Sequence, residues 1–200
     1  EYVDVTDMVA IRQKEKTHFK EEGVKLTYLA FFLKAAVQTL REFPKFNASI
    51  TQDEITYHPH KDIGIATNTD YGLVVPVIRS CENLSVIQIA NQIATVSTQA
   101  RERKLAGKDM KNSTFTVTSL GNFGGEFFTP IINYPEVAIL GIGGIKDKPV
   151  VKDGQIIIRK MVALSLTYDH RLLDGADAAK FMAALKQKLE NPVEMLLEMK

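Results

Sequence analysis

From Thr27 to Phe43 the chain reads "TYLAFFLKAAVQTLREF", with Leu29, Ala30, Phe31, Phe32, Leu33, Ala35, Ala36 and Val37 in nearly unbroken succession. A helix with one apolar stripe can lie on a surface, whereas one that is apolar almost all round has to be enclosed. The segment therefore needs partners on more than one face. Thr27 is placed to cap it and Pro44 to close it. The 200 residues are enough to build a real core around such a helix.

The patterns on either side supply those partners. "DVTDMVAIRQKEKTHFKEEG" predicts a helix capped by Asp4, Thr6 or Asp7 and stopped at Gly23. "IGIAT" at 63–67 and "LVVPVI" at 73–78 predict strands joined through "NTDYG", with Pro76 marking a sheet edge or a bulge. "SVIQIANQIATVSTQARERKLAG" is an amphipathic helix capped by Ser85 and ending near Gly107. Strands follow in "TFTVTSL", "EVAILGIG" and "QIIIRKMVALSLTY", the last two separated by "KDKPVVKDG" with its Asp153-Gly154 hairpin signal. A final helix runs from about Asp174 to Pro192. This order predicts one α/β domain, a mixed sheet packed by helices. No glycine-rich turn leads from a strand into a helix, which argues against a dinucleotide fold.

Several function classes find no support. The 25 basic and 24 acidic residues leave a net charge of +1, so no nucleic-acid footprint is expected. A single cysteine, Cys81, allows no internal disulfide and suits a reducing compartment. No apolar run reaches the roughly 20 residues of a membrane span, and "EYVDVTDMV" does not read as a signal peptide. A cytoplasmic protein with no membrane partner is expected. A start without Met suggests a piece of a longer chain. "GNFGG" and "GIGG" are not followed by Lys-Ser or Lys-Thr, as a phosphate loop requires. "HPH" at His58 and His60 lacks further close ligands, so it reads as a loop rather than a metal site. Arg101, Arg103 and Lys104 read as the solvated end of a helix.

The chemistry-bearing stretch is "LTYDHRLLDG", residues 166–175. His170 falls just past an apolar strand and Asp174 just before a helix, a junction where a rigid scaffold presents side chains to a cleft. Two readings of each residue stand side by side. His170 is either a hydrogen-bonded core histidine or an acid-base group. Asp174 is a helix N-cap, with Asp177 in the favourable first turn, and its carboxylate can also neutralise a nearby cation. In "STFTVTSLGNFGG" the alternation puts Thr114, Thr116 and Thr118 on one face and Phe115, Val117 and Ser119 on the other. These threonines are either simple strand formers or hydroxyls aimed at a site.

"DHRLLDG", "FTVTSLGNFGG" and "FTPIINYPEVAILGIG", in this order, resemble the catalytic domain of the dihydrolipoyl acyltransferases of bacterial 2-oxo acid dehydrogenase complexes. "EYVDVTDMVAIR", "YGLVVPVIR" and the Pro192 tail extend the resemblance over essentially the whole chain. It implies one catalytic domain over 1–200, without the family's N-terminal arm, lipoyl domain or subunit-binding domain. The implied fold is two-layered and chloramphenicol-acetyltransferase-like. It further implies trimers with the site at the subunit interface, assembled into cores of roughly 24 or 60 subunits. The implied reaction moves an acyl group from S-acyl-dihydrolipoyl-lysine to coenzyme A, with no metal. The implied partners are a separate lipoyl domain, the decarboxylase and the dihydrolipoyl dehydrogenase.

By motif, His170 is the base, Asp174 the orienting acid and Thr118 the hydroxyl, a position where many relatives carry serine. Its neighbour Ser119, together with Gly72, Pro76 and Gly121, is expected at substrate contacts. The family's acid pairs with an arginine in the N-terminal arm. The chemistry accepts these residues: a thiol with a pKa of about 8.5 is mostly protonated at neutral pH, and a neutral histidine can take its proton. "GGEFFTPIINYPEVAILGIGGI" is more similar to acetyl-specific members than to branched-chain or succinyl ones. A non-catalytic core is the alternative from another class.

Overall fold

The computed structural model describes residues 1–52, 54–121 and 124–197. In chain order the elements are β1 (Tyr2–Asp4), α1 (Thr6–Glu21), α2 (Tyr28–Glu42), β2 (Ala48–Ile50), β3 (Ile55–Tyr57) and β4 (Ile63–Ile65). Next come β5 (Thr67–Thr69), β6 (Gly72–Val74), β7 (Val77–Ile78), α3 (Val86–Arg101) and β8 (Phe115–Ser119). The chain continues through β9 (Ala138–Ile142), β10 (Lys146–Lys152), β11 (Gln155–Tyr168), α4 (Gly175–Glu190) and α5 (Pro192–Leu197).

The main sheet runs β1-β11-β9-β8-β4-β7, with β10 paired to β11. It is mixed: β8 is parallel to both β4 and β9, while the β4–β7, β9–β11 and β1–β11 pairs are antiparallel. α2 is the centre of the helical layer. Every residue from Ala30 to Leu40 is buried, and the helix packs against α3 and α4, the enclosure that its apolar circumference demands. The Phe181 ring of α4 stacks 4.3 Å from Phe46 and approaches Phe43 and Phe115. One aromatic cluster thereby joins both helices to β8. α3 carries the expected cap, with Ser85 Oγ accepting from Gln88 N at 3.2 Å and Gln88 Oε1 from Ser85 N at 2.8 Å.

Several boundaries differ from the sequence expectation, each for a local reason. Thr27 occupies the N-cap of α2 but makes no capping bond. β1 precedes α1 because Tyr2–Asp4 pair with Met161–Ala163 of β11. Asp4 Oδ1 accepts from Thr6 N and Thr6 Oγ1 as the chain turns into α1. The predicted strands 63–67 and 73–78 are each cut in two. β4 pairs with β7 in the main sheet while β5 and β6 leave it as a two-stranded ribbon. Pro76, which cannot donate, sits at the break, and its carbonyl accepts from Ile65 N at 2.9 Å. α3 stops at Arg101, not near Gly107, where Arg103 takes a left-handed conformation (φ 57°). "KDKPVVK" is itself a strand, β10, closed onto β11 through Asp153 and Gly154, both at positive φ. β2 and β3 form a short hairpin that the sequence did not announce.

Candidate active site

β11 pairs with β9 as far as Tyr168 opposite Ala138. The chain then turns sharply, and the turn is wound around Asp169. The Asp169 N–H donates to Val137 O at 2.8 Å, and the Asp169 carbonyl accepts from Leu172 N and Leu173 N, both at 3.1 Å. Its carboxylate accepts from Arg171 N at 3.0 Å and from the Arg171 fork, with Nη2 at 2.6 Å. The Arg171 side-chain bond holds the Asp169 carboxyl below its ordinary range. His170 rides on this turn. It is exposed, with its ring 5.7 Å from that of Tyr168, so it is not a core histidine.

Asp174 ends the turn as the N-cap of α4, with Oδ1 accepting from Asp177 N at 2.8 Å. That backbone bond, helped by the Ala176 N–H and by nearby Lys45 and His170, holds its carboxyl below the usual carboxylate range. Among the described residues no hydrogen bond joins Asp174 to His170. The acid steadies the junction through the helix it starts. An open cavity of about 380 Å³ lies between β11 and α4, lined by Leu164, Leu166, Thr167, Ala178 and Met182 among others.

The remaining candidates collect elsewhere. β8 is parallel to β9 with Thr118 opposite Gly141 and Ser119 opposite Ile142. Thr118 is therefore level with the far part of β9, whereas His170 lies beyond its beginning. Gly141 is three steps along β9 from Ala138, roughly 10 Å at about 3.3 Å per residue, and His170 is farther still. One chain does not bring Thr118 to His170.

Thr118 and Ser119 are both half-buried. Ser119 Oγ accepts from Gly121 N at 3.2 Å, and Gly121 has φ +51°. β4 runs parallel to β8 with Ile65 opposite Val117, so the β5–β6 ribbon that carries Gly72 leaves the sheet at the Thr118 end. Pro76 is tied to Ile65 at that same end. The candidates thus form two groups: His170 with Asp174, and Thr118 with Ser119, Gly121, Gly72 and Pro76. Asn122 and Phe123 of the "GNFGG" stretch lie outside the described residues.

Two features escaped the sequence reading. One is the Asp169–Arg171 clamp, whose only signal was the pair of charges flanking the histidine. The other is Glu136, buried in the apolar run "PEVAIL". Away from the site, His58 Nε2 lies 2.7 Å from Ser49 Oγ and His60 Nδ1 3.0 Å from Glu82 Oε1. Among the described residues no three His, Cys, Asp or Glu stand close enough to hold a metal ion. No described helix is long and apolar enough to cross a membrane.

Residues 1–197 match the model of the 2-oxoacid dehydrogenases acyltransferase (catalytic domain) family. The chain belongs to this acyltransferase family. It is 44% identical over 198 residues to the dihydrolipoyllysine-residue acetyltransferase component of the Bacillus subtilis pyruvate dehydrogenase complex, covering 98% of this chain and 45% of that protein. The identity is again 44%, over 98% of this chain and 48% of the relative, to a Cupriavidus necator dihydrolipoyllysine-residue succinyltransferase component of a 2-oxoglutarate dehydrogenase complex. The chain thus spans about half the length of the curated relatives it matches.

Among solved acyltransferase structures, the Azotobacter vinelandii dihydrolipoamide acetyltransferase superposes with a TM-score of 0.94 at 40% identity, over 98% of this chain and 82% of that one. That structure addresses the role of a serine, a histidine and an asparagine in the catalytic mechanism. The cubic core of a pyruvate dehydrogenase multienzyme complex matches at a TM-score of 0.93 and 41% identity, over 98% and 82% of the two chains. A chloramphenicol acetyltransferase shares the fold at a TM-score of 0.60 and 14% identity, covering 96% of this chain and 85% of that one. The acyltransferase domain is thus a mixed sheet packed by helices in the chloramphenicol-acetyltransferase manner.

Proposed function

We propose that this domain transfers an acyl group, acetyl in the first place, from S-acyl-dihydrolipoyl-lysine to coenzyme A. The site is assembled from His170 and Asp174 of one copy and Thr118 of a neighbouring copy. The observation that carries this reading is the strand register, which keeps Thr118 and His170 of one chain at opposite ends of the sheet. In the Azotobacter vinelandii enzyme the serine precedes the histidine by as many positions as Thr118 precedes His170, and the asparagine follows it by four, as Asp174 does here. The spacing supports Thr118 rather than Ser119 as the hydroxyl.

In the forward reaction neutral His170 takes the proton of the coenzyme A thiol, and the thiolate attacks the thioester carbonyl. The Thr118 hydroxyl donates to the oxyanion that forms. Collapse breaks the old carbon–sulfur bond, and the leaving dihydrolipoyl sulfur recovers the proton from His170. Asp174 stays ionised, caps α4 and so fixes the far end of the His170 turn. No step needs a metal.

The family resemblance and the matched cubic core support a homotrimer as the working unit and a larger hollow core as the assembly. On this reading a lipoyl domain brings the substrate, and the decarboxylase and dihydrolipoyl dehydrogenase components act on that arm in a cytoplasmic complex. Equal identity to an acetyl and a succinyl relative leaves the acyl group to pocket size, where a methylene or two is worth about 1–3 kcal/mol. The test is acyl exchange between free dihydrolipoamide and acetyl-, isobutyryl- or succinyl-CoA, beside His170→Ala. Preference for acetyl-CoA with loss in the variant is expected. Preference for another donor overturns the acetyl assignment. Intact oligomers that transfer nothing, in the full-length chain as well, favour a non-catalytic core.

A further inference from the structure

Glu136 stands at the entrance to β9 and is 2% exposed. Ser113 Oγ, Thr116 Oγ1 (2.9 Å) and Asn133 Nδ2 (3.0 Å) all donate to its Oε1. Its Oε2 is buried with no hydrogen-bond partner among the described residues. All three donors are neutral. The packing at Thr116 is close: a Cβ on Gly64 of the adjacent strand would come within 2.7 Å of Thr116 Oγ1. The surrounding elements carry the titratable groups Tyr57, His58, Asp62, Tyr134 and Asp169, none of them among the donors to the Glu136 carboxyl. Ser49 holds His58 by its Oγ and bridges Glu136 through its backbone. Arg79 and Ser80 N occupy the Asp62 carboxylate.

A buried carboxylate without a cation is costly, and an acid in such a place keeps its proton instead. Two hydrogen-bonded paths lead from Glu136 toward the two halves of the site. Thr116 lies two residues before Thr118 on the same face of β8. Val137, the next residue in the chain, accepts from Asp169 N at 2.8 Å, immediately before His170.

We propose that Glu136 is a positioning residue for the transfer site, a buried carboxyl that fixes β8 to the head of β9. Through these it fixes both Thr118 and the His170 turn. The proposal rests on the acyl-transfer reading for its catalytic part. Burial pushes the Glu136 carboxyl up to about 7 against the pull of its three donors, which favour the ionised form.

The experiment compares Glu136→Gln and Glu136→Ala with the natural domain by acyl exchange between pH values of about 5.5 and about 8, and by amide hydrogen exchange. Glu136→Ala is expected to lower kcat about tenfold to a hundredfold with little change in KM. It should also speed exchange at Thr116–Thr118 and at Asp169. Glu136→Gln, which keeps the accepting oxygen and cannot ionise, is expected to rescue most of kcat. It should also restore the hydrogen-exchange protection at Thr116–Thr118 and at Asp169. Unchanged kcat and protection in Glu136→Ala, or a Glu136→Gln no better than Glu136→Ala, overturns the proposal. If Glu136→Ala does not fold, Glu136→Asp, which draws the carboxyl back from its three donors, takes its place. A natural domain that transfers no acyl group overturns the functional reading instead, and the exchange pattern, which needs no turnover, then decides the link.

Discussion

Thr118 and His170 stand at opposite ends of one sheet: Thr118 is level with Gly141, near the end of β9, and His170 lies past the Ala138–Tyr168 pair at its beginning. A proton acceptor and an oxyanion donor that serve one thioester have to meet within hydrogen-bonding reach of it. Two copies can satisfy that requirement where one chain cannot. On the proposed reading the oligomer is part of the chemistry.

His170→Ala should lower acyl exchange at least about a hundredfold, the usual contribution of a positioned base. The side chain is exposed, so the melting temperature should barely change, as for surface substitutions within about 0.5 kcal/mol. Rate and thermal melting measured on one preparation check both halves.

Thr118→Ala removes the hydroxyl proposed for the oxyanion and should cost about a hundredfold to a thousandfold in kcat. Thr118→Ser should keep most of the activity. Equal losses in the two variants would point to packing at β8 rather than to the hydroxyl.

At Asp174 the two substitutions should separate. Asparagine retains an acceptor for Asp177 N and caps helices well, so Asp174→Asn should keep α4 and most of the activity. Asp174→Ala should lose stability and rate together. The depressed carboxyl of Asp174 contributes stability that is present above its unfolded pKa and lost as pH falls through the lower folded one. Acid melts of the natural domain and Asp174→Asn should therefore converge at the lowest pH.

Glu136 predicts the opposite slope. Its folded pKa of about 7 lies above the ordinary 4.5, so between these values the folded state holds more protons than the unfolded state. Stability then falls as pH rises through that window and levels off above it. Glu136→Gln should gain on the natural domain across this range by up to a few kcal/mol. Denaturant melts at several pH values check the sign.

Cys81 should be inert while the domain is folded. It is buried, its Sγ donates to Ile78 O at 3.3 Å, and burial pushes the thiol up to about 12. Alkylation at neutral pH should proceed at the rate of unfolding.

The large elements were legible because each carries its own period. α2 announced its burial, Ser85 the start of α3, and the junction of β11 with α4 placed His170 and Asp174 together. The misread parts depend on partners instead. β10 hides behind Lys146, Lys148, Pro149 and Lys152, residues suited to an edge strand, and only its register with β11 makes it one. β2 and β3, three residues each, are too short to show a period. The separation of Thr118 from His170 follows from strand pairing, which no local pattern encodes. Glu136 reads as one acid in an apolar run until Ser113 and Thr116, distant in sequence, fold onto it.

The most direct measurement mixes two inactive copies. His170→Ala and Thr118→Ala chains, unfolded together and reassembled, place the intact His170 of one beside the intact Thr118 of the other. With random mixing of equal amounts in a cyclic oligomer, about a quarter of the shared sites carry both residues. The account predicts acyl exchange rising toward that fraction of the natural rate, far above either variant alone. Activity no higher than the average of the two variants, in oligomers shown to be mixed, would place both residues in a single-chain site and contradict it.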